Sequence, residues 1–143
     1  PEKRKDMARN ISVKYKNILP DFLIENSINK ALEIIENSEF SFIFGENSIA
    51  EVQITGIVDV KDKKITISGQ IDRIYVGEKE VWIVDFTSNY NPPQNIADIP
   101  TAYLRQLALY RLLLHKIMPE KTIKSALLWT ANARLDVIEK EDF

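Results

Sequence analysis

VWIVDFTS, residues 81–88, sets a single acid, Asp85, in the middle of a run of β-branched and aromatic side chains. Such a run fits a pleated, buried surface and reads as a central strand. The polar turn GEKE (77–80) precedes it, and before that SGQIDRIYV (68–76) ends a second strand carrying Asp72. Side chains alternate across a strand, so Asp85 and Thr87 share a face, as do Asp72 and Ile74 on the neighbour. An aspartate buried in an apolar run is costly to desolvate unless a cation, a metal or a hydrogen-bond donor compensates it, and two on adjacent strands repel each other. A hard divalent ion removes both difficulties, because Mg²⁺ takes one or two carboxylates and fills its shell with water and phosphate oxygens. The pattern points to metal-assisted chemistry at a phosphodiester.

On the N-terminal side, Ala50, Val52 and Ile54 alternate with Glu51, Gln53 and Thr55, which predicts a strand that continues or bends at Gly56 and reaches Val60. Lys61 to Lys64 reads as a polar hairpin turn, and Ile65 to Val76 as the returning strand. Further upstream, Pro20 to Asn37 carries Phe22, Leu23, Ile28, Ala31, Leu32 and Ile35 at helical spacings. Residues 2–17 are charged and only weakly periodic. On the C-terminal side, Asn89, Asn91, Pro92, Pro93 and Asn95 forbid regular structure between Ser88 and Pro100. Pro100 then opens a helix that runs to about Ile117, and Ile123 to Thr130 and Arg134 to Ile138 read as closing strands. This order predicts an α/β fold with a mixed central sheet flanked by helices. The strand after the long helix should pair parallel with the strand before it, through a right-handed crossover. Residues 1–37 form an N-terminal helical segment and 38–143 the core, within one compact domain.

Composition narrows the chemistry. The 143 residues, 45% of them hydrophobic, are enough for one core without staples. There is no cysteine, so a disulfide framework and a zinc-thiolate site are both excluded, any metal must take oxygen ligands, and a reducing cytoplasm is the simplest compartment. No apolar run approaches a membrane span, so no membrane partner is expected. The chain starts at Pro1 and not at methionine, and a segment of something longer is the expectation. A net charge of −2 is not the basic field of a protein that grips nucleic acid by charge alone. Cations cluster at Lys3, Arg4, Lys5, Arg9, Lys14 and Lys16, as either a solvated helix face or a phosphate-contacting arm.

Tyr103, Gln106 and Tyr110 lie along one face of the long helix, a stripe that serves either the core or the acid pair. Leu104, Leu107, Ala108, Leu112 and Leu114 favour the core, and the glutamine resists it. His115, the single histidine, reads as a helix-end surface residue.

SGQIDRI, VWIVDFTS, the proline-rich loop, YLRQLALYRLLL and ALLWT, in that order, closely resemble the RecB-like PD-(D/E)XK nuclease domain at the C-terminus of AddA helicase-nucleases, the alphaproteobacterial type above all. The likeness covers roughly residues 38–138. It implies a restriction-endonuclease-like fold and a hydrolase that processes DNA ends for recombination and repair. Asp72 and Asp85 match the carboxylates that hold a catalytic Mg²⁺, with Mn²⁺ as a substitute, and Glu51, in AEVQI, matches a recurring acidic position and is a further candidate ligand. Gln106 and Tyr110 match the Q-x-x-x-Y helix associated with the active site and DNA, and Tyr103 joins them as a candidate DNA contact. Where the family reads D-Y-K-T, this chain reads Asp85-Phe86-Thr87-Ser88, so Thr87 stands in the catalytic lysine's position. The resemblance also implies helicase domains in the parent chain, where ATP would act, and an AddB-like partner subunit. The family's upstream metal-associated histidine has no counterpart at His115.

An ammonium beside the metal orients water and stabilises an anionic transition state, which threonine, neutral and several atoms shorter, cannot do. The resemblance therefore implies a catalytically impaired domain. The alternatives are an active Mg²⁺-dependent exonuclease or endonuclease with a relocated lysine, for which Lys64 and Lys124 are candidates, and a purely structural or DNA-binding module. The plainest reading gives Asp72 and Asp85 to ion pairs with Arg73 or Arg105.

Overall fold

A computed structural model describes residues 2–89 and 91–139. Helix α1 (Glu2–Ser12) leads through a short 3-10 turn to α2 (Asp21–Glu36), and a second 3-10 turn (Ser41–Phe44) leads into the sheet. Strands β1 (Ser48–Val60), β2 (Lys63–Val76) and β3 (Glu80–Thr87) follow, then α3 (Thr101–Ile117), β4 (Thr122–Trp129) and β5 (Arg134–Ile138). The five strands lie in chain order, antiparallel except for β3 and β4, which run parallel across the α3 connection. The mixed sheet flanked by helices is the fold class that the sequence predicts.

β1 and β2 are joined by a two-residue turn in which Lys61 and Asp62 both take positive φ (47° and 63°), the conformation that matches the twist of a tight hairpin. β3 is central and nearly sealed, with Val81, Ile83 and Val84 fully buried. Its alternation sorts two cores. Val81 and Ile83 pack beneath α3 with Leu107, Tyr110 and Leu113, whereas Val84 joins Ala126, Leu128, Ile34, Phe40 and Ile43 on the other face.

α2 departs from the expected stripe. Its buried residues are Ile24, Ile28 and Ile34, while Phe22, Leu23 and Ala31 are exposed. The helix packs on α1 and the second 3-10 turn, not flat on a strand, so its first turn lies beyond anything that would cover Phe22. No helix among the described residues is long and apolar enough to cross a membrane.

One irregularity places the site. Ile67 and Ile71, then Ile74 and Val76, all belong to the core under α3, so the alternation of β2 slips by one residue between 71 and 74. The pairing of β1 with β2 skips one residue pair there, Glu51 opposite Asp72, and Glu51 takes φ 55°. The slip lets Asp72 face the α3 side together with the isoleucines before it.

Candidate metal centre

β2 and β3 pair from Val76 and Val81 as far as Arg73 and Val84, and there the ladder stops. The next positions in that register are Asp72 and Asp85, and their carboxylates take over the hydrogen bonding. The Phe86 amide donates to Asp72 Oδ2 at 2.8 Å, and the Asp72 amide donates to Asp85 Oδ1 at 3.4 Å. The strands part here, β3 continuing only against β4, and a small cleft of about 90 Å³ opens between them. Gln70, Asp72, Asp85, Thr87, Tyr103 and Gln106 line it, over Leu127 and Phe86.

α3 closes the cleft from above. Gln106 Nε2 donates to Asp85 Oδ2 at 2.9 Å, so one amide fixes the second oxygen of that carboxylate. One turn on, the Tyr110 hydroxyl makes a long hydrogen bond of 3.5 Å to the Gln70 carbonyl. That hydroxyl fits because residue 69 is glycine, where an added Cβ would stand 2.1 Å from the Tyr110 oxygen. The glutamine of the stripe thus meets the acids and the buried tyrosine positions β2 beside them, while Tyr103 stands at the rim.

Burial pushes the Asp85 carboxyl above its ordinary range, and the charge of Asp72 adds to the rise, against the hydrogen bonds from the Asp72 amide and Gln106. The Tyr110 phenol is likewise raised, by burial first and then by the charges of Asp85 and Asp72, so it stays a neutral donor. Among the described residues, none that lines the cleft carries a positive charge. Two hard oxygen donors face one hollow, one of them desolvated and neither matched by a cation there, which is a donor set that suits a divalent ion of the Mg²⁺ type.

Ion pairing with nearby arginines does not account for the pair. Arg73 points the other way, its Nε donating to the Ile43 carbonyl at 3.2 Å and its guanidinium lying 5.1 Å from the Phe44 ring centroid. Arg105 is exposed and does not line the cleft. The candidate relocated lysines lie elsewhere. Lys124 pairs with Glu80 at 2.6 Å and covers the Trp82 ring, at the opposite end of β3. Lys64 is opposite Asp59 near the far hairpin turn. Glu51 does not line the cleft, and no group of three acid, histidine or cysteine side chains able to hold a metal forms among the described residues. Its kinked backbone serves the slip of β2, and its side chain is exposed. His115 is exposed in the last turn of α3, as its position predicts.

Thr87 is buried at the end of β3, on the same face as Asp85. Its carbonyl accepts hydrogen bonds from the Thr130 amide at 2.9 Å and the Thr130 hydroxyl at 3.2 Å, which anchors the backbone from which any side chain at 87 would extend. The long loop before α3 is tied down too, since Arg134 donates to the Pro93 carbonyl. Sequence reasoning passed over two working parts of the cleft: the space supplied by Gly69 and the backbone amide of Phe86. A glycine inside a strand signals a close approach and was legible. The amide carries no side-chain signature.

A family described as the PD-(D/E)XK nuclease superfamily matches residues 14–141. Among solved structures the chain is similar to one titled "Crystal structure of SSO0001", at 16% identity over 94% of this chain and 63% of that one, with a TM-score of 0.45, a likeness too low to bear on function. No curated protein matches the chain.

Proposed function

The chain belongs to the PD-(D/E)XK nuclease superfamily, and we propose that it is the nuclease-like domain of an ATP-dependent helicase-nuclease that processes DNA ends in recombinational double-strand break repair, impaired in cleavage because Thr87 occupies the position of the catalytic lysine. The observation that carries this reading is the acid pair facing a cleft in whose lining the described residues include no cation. The helicase setting and the AddB-like partner rest on the ordered motifs from SGQIDRI to ALLWT, and the cytoplasmic location on the absence of cysteine.

Asp72 and Asp85 would hold the ion, Mg²⁺ in the first instance, and when bound it supplies polarisation of the phosphate and a more acidic water. The chain's own residues do the positioning. The Phe86 amide orients Asp72, Gln106 orients Asp85, and Tyr110 keeps β2 spaced from α3 through the Gln70 carbonyl. The neutral, short side chain of Thr87 neither orients a nucleophilic water by charge nor stabilises a developing anion, a contribution on the order of 10²-fold or more in rate where such groups are removed from other enzymes.

Supercoiled and linear DNA incubated with the protein and Mg²⁺ or Mn²⁺ should stay uncut. Thr87→Lys should then gain cleavage, by about 10²-fold over background, and Asp85→Ala in that variant should remove the gain. Cleavage by the wild-type chain that disappears in Asp85→Ala would establish an active enzyme and overturn the impaired reading.

A further inference from the structure

Phe86 follows Asp85 on β3, and the alternation that turns Asp85 toward α3 turns the phenyl ring to the opposite face. There it is 39% exposed, an unusual state for an aromatic side chain on a central strand. Its neighbours form a set. The Phe44 ring lies 6.1 Å away with planes tilted by 35°, and the Arg73 guanidinium lies over the other aromatic at 5.1 Å. Beside Phe44 an open hollow of about 660 Å³ is lined by Arg4 from α1, with Ser41, Gly45 and a single acid, Glu36. Two aromatic rings and the Arg73 guanidinium thus meet near the end of β3, which carries the acid pair on its other face, and Arg4 lines the hollow beside Phe44. Phe86 also lines the cleft, and its amide is bonded to Asp72, so the two places adjoin at this residue.

Aromatic faces beside cations are the means by which proteins hold unpaired bases, stacking the base and neutralising the flanking phosphates. We propose that Phe86 and Phe44 form a stacking platform for an unpaired nucleobase of a DNA strand, with Arg73 and Arg4 on its flanking phosphates and the adjoining phosphodiester at the Asp72–Asp85 cleft. This rests on the nuclease-like reading, which supplies the DNA. It assigns to α1, through Arg4, the phosphate-contacting part left open by its charge cluster.

The test compares a fluorescein-labelled oligothymidine with an abasic oligonucleotide of equal length and charge, by fluorescence anisotropy at low salt with Ca²⁺. The wild-type chain should bind the base-bearing probe about tenfold more tightly, the size expected of one stacked base. Phe86→Ala should bring the oligothymidine down to the abasic level while Phe86→Tyr keeps the preference. If the alanine variant does not fold, Phe86→Leu preserves the apolar bulk and should still lose the preference. Arg4→Gln should weaken both probes alike and reduce the dependence on salt. Equal affinity of the wild-type chain for the two probes, a preference unmoved in Phe86→Leu, or no effect of Arg4→Gln would each overturn the platform and leave the cleft reading standing. Binding of neither probe would overturn the DNA reading itself.

Discussion

At the scale of single residues, Asp85 is held in an environment that disfavours its charge. Burial raises its carboxyl, so in the metal-free protein the folded state takes up a proton at a higher pH than the unfolded chain does. Between those two titrations the folded state binds more protons, and stability must fall as pH rises. Asp85→Asn should therefore raise the Tm at neutral pH and flatten that pH dependence, since the Asn oxygen still accepts from the Asp72 amide and the Gln106 amide can turn to offer its oxygen. Calorimetry of the two proteins across the acid to neutral range measures it, and an unchanged or lowered Tm at neutral pH would count against a desolvated charge. Asp85 was legible because an acid in the middle of VWIVDF must be compensated, whether by an ion pair, a donor or a metal. Its partner amides were not, because they belong to the backbone where two strands separate.

At the scale of elements, the site depends on two departures from regularity in the β1–β2 ribbon. The first is the close approach of α3 to Gly69. Gly69→Ala would drive a methyl into the Tyr110 hydroxyl and should cost about 1–3 kcal/mol. Combining it with Tyr110→Phe should recover part of that loss, and additive effects in denaturant titrations would contradict the contact. The second is the positive φ of Glu51, a conformation that costs a non-glycine residue on the order of 1 kcal/mol or more. Glu51→Gly should stabilise the fold by up to about 1 kcal/mol. It should leave divalent-ion affinity unchanged, whereas weakened ion binding would return Glu51 to the ligand set. The strands, the parallel pairing of β3 with β4 and the helix face of Gln106 could be read from period and order. The slip of β2 could not, because alternation over Ile65 to Val76 predicts opposite faces for Ile71 and Ile74, and the structure puts both in one core.

At the scale of the whole molecule, the two faces of the sheet are unequally covered. α3 lies over the larger core, and the smaller one is closed by the 3-10 turn and the C-terminal half of α2, with Ile34 beside Phe40 and Ile43. α1 reaches the rest chiefly through α2, with Arg9 paired to Glu25 at 3.2 Å and both side chains about half exposed, so that solvent screens the pair and it adds little to stability. Amide exchange should therefore be fast throughout α1, intermediate in α2 and slowest in β3 and β4. Protection of α1 equal to that of β3 would show that it folds as part of the core. The helix of Pro20 to Asn37 is legible from its spacing, but the spacing does not tell which of its apolar residues are covered. Only the position of the helix relative to its neighbours shows that its first turn buries Ile24 and leaves Phe22 and Leu23 uncovered.

Fold, cleft and proposed impairment all converge on Asp72 and Asp85 as a joint site for a hard divalent ion. Isothermal titration of Mn²⁺ into the wild-type chain and into Asp72→Asn measures it most directly. A single ion should bind saturably to the wild-type chain, and that binding should be lost in the variant. Absence of saturable binding to the wild-type chain, or binding that persists unchanged in Asp72→Asn, would contradict it.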